Sequence, residues 1–532
     1  MQLNLCTKCC SIRMVICWTV LTGVLFAGSL VLAFYGIPAI ITILIHGQTR
    51  LVEGTDQWDR FTELPFALNF SIRFFNVTNA DDVLTGSKPD LSETRPYTYK
   101  LNIKRENIRS DDSEEDSVTY SRKLTFDFDA SGNNTENDKI RVINPLLMSL
   151  FQMTSVIERI AAVGCFDKIL TPAGLDEIFL DTTVKELLWD GIKFAKANEE
   201  GLGVACGIIR NTLITRANKI RVIEVENNGT TEEYAKISIL NFKTSNYLKE
   251  SPDGIYTINR GIDNMTALGN VMRWNHDSKL RTFGHASATN NETCQTIRGT
   301  DATIFHPGIK ENEDLWVYNT DICRTIKLGY VNSNETYKGI TGIRFEASKR
   351  IFRPSTLLEE NDCYCSKATT DETGTARCYL DGVFDLKPCI GAAILLSQPH
   401  FLNADAKYLN NTGQGLQPDH DKHGIYLLIE PNTGTPLEAM KRVQLNSVLK
   451  KQSFLSSLTP QEMHEGVFPI LWLEEGVQLP QNLIDLLNDM YSTPVKIATA
   501  CKYALIATFA ALFTGCMFLI FRKSFCRNKH SI

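Results

Sequence analysis

Residues 14–45, MVICWTVLTGVLFAGSLVLAFYGIPAIITILI, are 32 consecutive positions without a charged side chain. A helix rises about 1.5 Å per residue, and about 20 apolar residues cross a bilayer, so this run can span one with residues to spare. The apolar core of a cleavable signal peptide is only about 7–15 residues long, so the run reads as an uncleaved anchor. Pro38 lies inside it and predicts a kink or an end there. A second uncharged run, YALIATFAALFTGCMFLIF, covers residues 503–521. Arg522, Lys523, Arg527 and Lys529 follow it, a basic stop that favours a membrane span over a buried core helix.

Positive charge sets the orientation. Lys8 and Arg13 stand in an N-terminal tail without acids, and the four bases after residue 521 stand in a C-terminal tail without acids. Both tails therefore prefer the cytosol, with Lys496 and Lys502 working weakly against this from the outer end of the second span. The expected organisation is a cytosolic tail (1–13), a first transmembrane helix (14–45), an extracellular domain (46–496), a second transmembrane helix (497–521) and a cytosolic tail (522–532) at a plasma membrane. The 532 residues carry −6 overall; the tails hold +2 and +4, which leaves −12 on residues 14–521. An acidic exterior argues against nucleic acid as a partner.

Eight N-x-[ST] sequons lie between the spans, at Asn69, Asn76, Asn133, Asn228, Asn264, Asn291, Asn334 and Asn410. Together they read as a glycosylated surface. The same segment holds eight cysteines: Cys165, Cys206, Cys294, Cys323, Cys363, Cys365, Cys378 and Cys389. An even number outside the cytosol points to disulfides, and eight cysteines alone allow about 105 pairings. A zinc site at Cys363-Tyr364-Cys365 is disfavoured, because zinc sites prefer two or more residues between paired cysteines. Cys9, Cys10 and Cys526 flank the spans and are candidates for palmitoylation.

Strand-like alternation runs through the outer segment. Val118, Tyr120, Leu124, Phe126 and Phe128 share one face of Ser117–Asp129, and Phe70, Ile72 and Phe74 alternate with Asn69, Ser71 and Arg73. Helical signals concentrate between 144 and 200. Asn144-Pro145 is an N-cap with proline at the first helical position, after which Leu146, Leu150, Met153, Ile157 and Ile160 recur on one face. Thr183 and Glu186 fit a capping box ahead of Leu187, Leu188 and Ile192. The expected fold class is α+β: one strand-rich domain with a helical subregion, on a two-span membrane hairpin.

Catalytic signatures are absent. Gly284-His285-Ala286-Ser287 does not complete a nucleophile elbow, and Gly201-Leu202-Gly203 continues to Gly207 with the wrong spacing for a dinucleotide loop. His420, Asp421 and His423, beside Asp419 and Lys422, read as a polar surface loop rather than a metal site. No enzyme, cofactor or metal is expected.

Several strings have the order of a known family. They are Phe75-Asn76-Val77-Thr78-Asn79, Arg95-Pro96-Tyr97-Thr98-Tyr99, Asp314-Leu315-Trp316-Val317-Tyr318 running into Asp321-Ile322-Cys323-Arg324, and Cys363-Tyr364-Cys365. Pro399-His400-Phe401, Ile429-Glu430-Pro431-Asn432-Thr433-Gly434, Lys441-Arg442-Val443-Gln444 and Pro469-Ile470-Leu471-Trp472 continue the series. With them the chain resembles the class B scavenger receptor family. Ala67-Leu68-Asn69-Phe70, Ile178-Phe179-Leu180, Asn259-Arg260-Gly261, Gly299-Thr300-Asp301 and Trp472-Leu473-Glu474-Glu475-Gly476-Val477 give it the look of the insect sensory neuron membrane proteins within that family. Arg95 departs from the pattern, which usually has glycine before Pro-Tyr.

The resemblance implies the pairings Cys294–Cys363, Cys323–Cys389 and Cys365–Cys378, and leaves Cys165 and Cys206 as an extra pair or as free thiols. It implies a strand-rich core, a helical cap that takes up ligand, and an apolar tunnel toward the bilayer. Leu146, Leu150, Met153 and Ile157 are then candidates to line the cap, with helix-packing core as their plainer meaning. Lys168, Lys185 and Lys193 are candidates to attract a head group, with solvated surface as theirs. The implied ligands are fatty acids, long-chain aldehydes, esters or other lipids, the implied context is the membrane, and the implied partner is an odorant receptor complex. Uptake of fatty acids, carotenoids or lipoprotein lipids is the near alternative, and adhesion without lipid the far one.

Overall fold

The structure is a computed structural model, and it describes residues 12–111, 116–130, 132–148, 165, 168, 177–196, 203–216, 221–227, 230–240, 253–284, 291–365, 378–452 and 459–529. The chain divides into two compact units. One joins the two ends, Met1–Thr49 with Pro480–Ile532; the other is Arg50–Leu479.

In the first unit, helix α1 (Ile12–Val31) continues through one wide turn, Leu32–Gly36, into helix α2 (Ile37–Thr49). The wide turn has a cause. Pro38 has no amide to give the Phe34 carbonyl and its ring would clash there, so the helix loosens by one residue and the Ile37 amide bonds Leu32, five residues back. The helix is therefore not ended by Pro38. The same device precedes Pro494: the Thr493 amide bonds Asn488, and the helix runs on over Thr493–Lys529. Both helices are long and apolar enough to cross a membrane.

These helices pack along a narrow seam. Val15, Thr19, Thr22 and Ser29 of α1 and Ala33 of the wide turn are buried, at the spacing of a heptad. Small and hydroxyl residues there let the backbones approach, as packing between apolar helices requires. Thr19, Thr22 and Ser29 return their hydroxyls to carbonyls on their own helix. Phe513 fills the space beside Gly23 and stacks on Phe26, with ring centres 6.2 Å apart.

The second unit is built on one large antiparallel sheet. Its strands in chain order are β1 (Leu68–Val77), β2 (Leu91–Glu93), β3 (Tyr97–Asp111) and β4 (Ser117–Phe128). A separate antiparallel pair is formed by β5 (Lys139–Ile143) and β6 (Phe179–Thr183), and a small sheet follows with β7 (Ile192–Lys196), β8 (Arg221–Asn227) and β9 (Thr230–Ile237). The large sheet resumes with β10 (Ile255–Asn259), β11 (Val271–Trp274), β12 (Leu315–Asn319), β13 (Arg324–Tyr337) and β14 (Ile340–Ala347). It ends with β15 (Val383–Asp385), β16 (Leu395–Ser397), β17 (Tyr426–Glu430), β18 (Thr435–Leu449) and β19 (Gly466–Gln478).

The main path is β11-β10-β4-β3-β1-β19-β18-β17-β14-β13-β12. Its two edges do not stay open. The Val271 amide donates to Gly299 O at 2.8 Å, while Thr300 exchanges bonds with Trp316 O (3.1 Å) and the Tyr318 amide (2.8 Å). One short bend, Gly299–Thr300, therefore bonds both edge strands and links the two edges of the sheet, covering them where it lies. Only glycine fits at 299. Its φ is +76°, and a Cβ there would lie 1.7 Å from the Trp316 carbonyl oxygen.

The expected alternation appears in β1, where Phe70, Ile72 and Phe74 are buried between half-exposed neighbours. In β4, Val118, Tyr120 and Leu124 are buried. After β6, Trp189 of the turn Glu186–Asp190 packs on the large sheet, its ring 5.2 Å from Tyr99 and 5.0 Å from Phe126. Tyr97 and Tyr99, at the start of β3, reach across to donate to Asp138 (3.1 Å) and Glu136 (3.0 Å). Arg95, two residues earlier, is exposed, and the strand after it is intact.

Candidate functional site

The helical signals of residues 144–200 fall in part among the described residues. Asn144 caps its helix as read: its side-chain oxygen accepts from the Leu146 and Leu147 amides, both at 3.1 Å, and its amide donates to Glu177 O. Leu147 and Met148 are fully buried and Leu146 packs beside them. Leu150, Met153 and Ile157 lie outside the described residues. The Thr183–Glu186 capping box forms reciprocally, with both bonds at 3.2 Å. The helix it starts is a single wide turn over Glu186–Asp190, because Gly191 at φ +80° turns the chain and Ile192 opens β7.

Lys168 is helical and exposed. Lys185 is exposed, 3.6 Å from Asp190. Lys193 lies in β7 opposite Lys236, which in β9 lies opposite Arg221 of β8. Three basic residues from distant parts of the chain thus occupy one register level across the small sheet. Nothing in the spacing of these residues predicts this, because register is set by pairing.

Helix Gly203–Arg216 carries the other notable surface. Val204 is 83% exposed and Ile208 61% exposed, one turn apart on one face. Cys206 between them is buried and bonded to Cys165, while Ile209 packs on the core. The disulfide thus fixes which side of the helix faces in.

Three further disulfides join Cys294 to Cys363, Cys323 to Cys389 and Cys365 to Cys378. Cys294, Cys323 and Cys363 sit in a core with Phe283, Tyr364 and Phe384. Arg324 is buried beside it, stacked at 3.8 Å on Tyr364 and bonded to Asn361 at 3.0 Å. A cavity of about 30 Å³ opens between Arg324, Tyr364, Tyr379, Phe384 and the Cys365–Cys378 bond. It has room for one or two waters and none for an alkyl chain.

Two buried polar clusters were not legible in the sequence. In the first, Asp301 accepts from Arg105 (3.2 Å) and Tyr120 (2.9 Å), and Arg105 also bonds Thr303 (2.6 Å) and the Phe61 carbonyl. Arg122 bridges Asp253 at 2.8 Å and lies 3.8 Å from Asp301. Burial pushes the Asp301 carboxyl up, but Arg105 and Arg122 outweigh it and hold the group at about 2. These bonds tie the closing segment 299–303 to β3 and β4.

The second cluster gathers the family strings. His400 and His423 stack with ring centres 4.2 Å apart, Phe75 and Trp472 meet them edge-on, and Arg73 lies 4.4 Å over Trp472. Glu93 lies 2.9 Å from His400, off the line of its N–H, and Arg442 bonds Glu474 at 2.6 Å. The residues at 419–423 are thus a short helix capped by Asp419 with a buried His423, not wholly a surface loop. Each Nδ1 accepts a backbone amide, from Gln417 and from Asp419, so each Nε2 carries the hydrogen and neither ring has a lone pair left for a metal. Among the described residues no group of three His, Cys, Asp or Glu side chains is placed to hold one. Burial, then the neighbouring His400, lowers His423 to about 4.

Of the sequons, Asn133, Asn264, Asn334 and Asn410 are exposed, and Asn69, Asn76 and Asn291 are half-buried. Asn228 lies outside the described residues, as do Cys9 and Cys10; Cys526 lies on the last helix.

Two apolar terminal helices and a disulfide-bonded sheet domain define a membrane receptor of the scavenger class. The match to the CD36 family runs over residues 20–520, and the chain belongs to that family. It is similar to sensory neuron membrane protein 2 of Heliothis virescens, 30% identical over 473 residues that cover 87% of this chain and 85% of the relative. Sensory neuron membrane protein 2 of Manduca sexta is 30% identical over 90% of each chain. Sensory neuron membrane protein 1 of Apis mellifera is 27% identical over 96% of this chain and 92% of its own.

Proposed function

We propose that the protein is a two-span plasma-membrane receptor, with both tails cytosolic, that captures hydrophobic ligands and passes them toward the bilayer. It presents lipophilic odorants or pheromones to an odorant receptor in the same membrane. A cap that includes helix Gly203–Arg216 takes up the ligand, and an apolar tunnel carries it down. The relatives' shared name, sensory neuron membrane protein, supports the neuronal setting.

The observation that carries the reading is the exposed pair Val204 and Ile208 on a helix stapled by Cys165–Cys206. Apolar side chains held open in this way invite an alkyl chain. The basic register level Lys193–Lys236–Arg221 supplies attraction for a polar or anionic head group. Sheltering is worth having: each methylene exposed to water costs roughly 0.8 kcal/mol, so a ~12-carbon chain costs on the order of 10 kcal/mol uncovered. No bond is made or broken, and no catalytic group is needed.

Native mass spectrometry of the purified chain tests this. Long-chain aldehydes, esters or fatty acids should bind, and Val204→Asp with Ile208→Asp should weaken binding without unfolding the domain. A chain that accepts no amphiphile leaves adhesion as the better reading. Binding and cellular uptake of fatty acids without any effect on odorant responses favours the scavenging role.

A further inference from the structure

The two terminal helices mark a level along their own length. The Lys502 ammonium lies 4.4 Å over the Phe34 ring and 5.6 Å from the ring of Tyr503. At the same level Tyr35 is 74% and Tyr503 61% exposed. A lysine among outward-facing aromatic rings is the composition of a membrane–water interface. On the cytosolic side of that level, residues 14–34 measure about 31 Å and residues 503–521 about 28 Å, close to the ~30 Å of a hydrocarbon core. The two runs match each other and the bilayer once the boundary is drawn there. The remaining apolar residues, 35–45, then stand outside the hydrocarbon.

This surplus is helix α2, and it is built unlike α1. No residue of α2 is buried, and Ile40, Ile43 and Leu44 are 53%, 69% and 62% exposed. In an uninterrupted heptad, Ile40 would follow Ala33 on the seam. The extra residue of the wide turn rotates α2, so the half-buried positions become Ile37, Ile41 and Ile45. Ile40, Ile43 and Leu44 instead fall on the side of Leu32 and Tyr35, which are themselves 46% and 74% exposed. The outward apolar track is therefore continuous from the lipid-facing surface of the span to Leu44.

We propose that this track is a rail for alkyl chains, on which a long-chain ligand moves between the outer leaflet and the extracellular domain. Continuity with the hydrocarbon argues for this occupant: a chain can leave the leaflet along the track without crossing a polar gap. The inference rests on the ligand-handling reading above and adds the place where the ligand meets the membrane.

The test uses the full chain on intact cells, in a Cys501→Ser background that removes the free thiol nearest the boundary. Ile43→Cys, Leu25→Cys and the exposed control Val331→Cys are treated with a membrane-impermeant maleimide, with and without hexadecanal. Ile43→Cys should label at least about tenfold faster than Leu25→Cys, because only the thiolate in water reacts. Hexadecanal should slow labelling of Ile43→Cys several-fold and leave Val331→Cys unchanged. Ile43→Cys as inert as Leu25→Cys would place α2 inside the hydrocarbon and overturn the proposal. Labelling that hexadecanal does not touch would also overturn it, and would leave a second copy or another helix as the occupant. Ligand binding measured by native mass spectrometry is independent of both outcomes, so failure of the rail is distinguishable from failure of the ligand-handling reading.

Discussion

Replacing Gly299 by alanine should cost this protein most of its stability. Gly299 sits at φ +76°, and a Cβ there meets the Trp316 carbonyl oxygen at 1.7 Å and its carbon at 2.2 Å. The left-handed backbone alone costs an alanine about 1–2 kcal/mol. The steric contact is with backbone and cannot be relieved by a rotamer, so the segment must leave the β12 edge. Its bonds to Val271 and Trp316 are then lost, at about 1 kcal/mol each. Asp301, two residues on, moves with it, and breaking a buried ion pair costs about 3–5 kcal/mol. Together these approach the ~5–15 kcal/mol by which a domain is usually stable. Gly308→Ala is the matched control: its φ is +77°, with nothing within 4 Å, so only the backbone cost applies. Denaturant unfolding of the full chain in nanodiscs, with surface delivery in cells, reads the difference. Equal midpoints for the two variants would refute the claim that this segment links the sheet edges.

Acid should destabilise the protein in two stages. The folded His423 value of about 4 lies below the ordinary 6.5, so as pH falls the unfolded chain takes up the proton first. Stability is full above pH 6.5 and falls by about 3 kcal/mol toward pH 4, and His423→Gln should flatten that slope. Asp301, held at about 2, adds a second loss between about pH 4 and pH 2, seen as a steeper fall in melting temperature. Removing Cys323–Cys389, with a separation of 66 residues, should cost about 4 kcal/mol, against about 3 kcal/mol for Cys365–Cys378 with 13, as read from unfolding midpoints of the paired serine variants. Glycopeptide mapping should find Asn133, Asn264, Asn334 and Asn410 occupied. Asn76, half-buried in β1 and accepting from the Arg141 amide at 3.1 Å, should be largely bare; full occupancy there would contradict its place in the sheet.

What was legible and what was not divides by the range of the interaction. The span lengths, the alternation in β1 and β4, the Asn144 cap and the Thr183–Glu186 box are all set within a few residues, and each has its physical signature in local spacing. Pro38 was half legible: its missing amide predicts a disturbance, but whether the helix stops or widens by one residue depends on the surroundings. The capping box named a helix start correctly and overestimated its length, because Gly191 ends it after one turn. His423 was misplaced as surface, since its burial depends on His400 and Trp472, which are near it only in space.

The two apolar helices, the strand-rich character of the region between them and the family were all legible along the chain, because they rest on composition, periodicity and short strings. Tertiary packing is what joins the sheet edges through Gly299–Thr300, pairs Asp301 with Arg105 and Asp253 with Arg122, sets Lys193, Lys236 and Arg221 at one level, and turns Ile40, Ile43 and Leu44 away from the seam. Each of these depends on pairing register or on helical phase after a one-residue insertion, and neither quantity is carried by any single stretch of sequence.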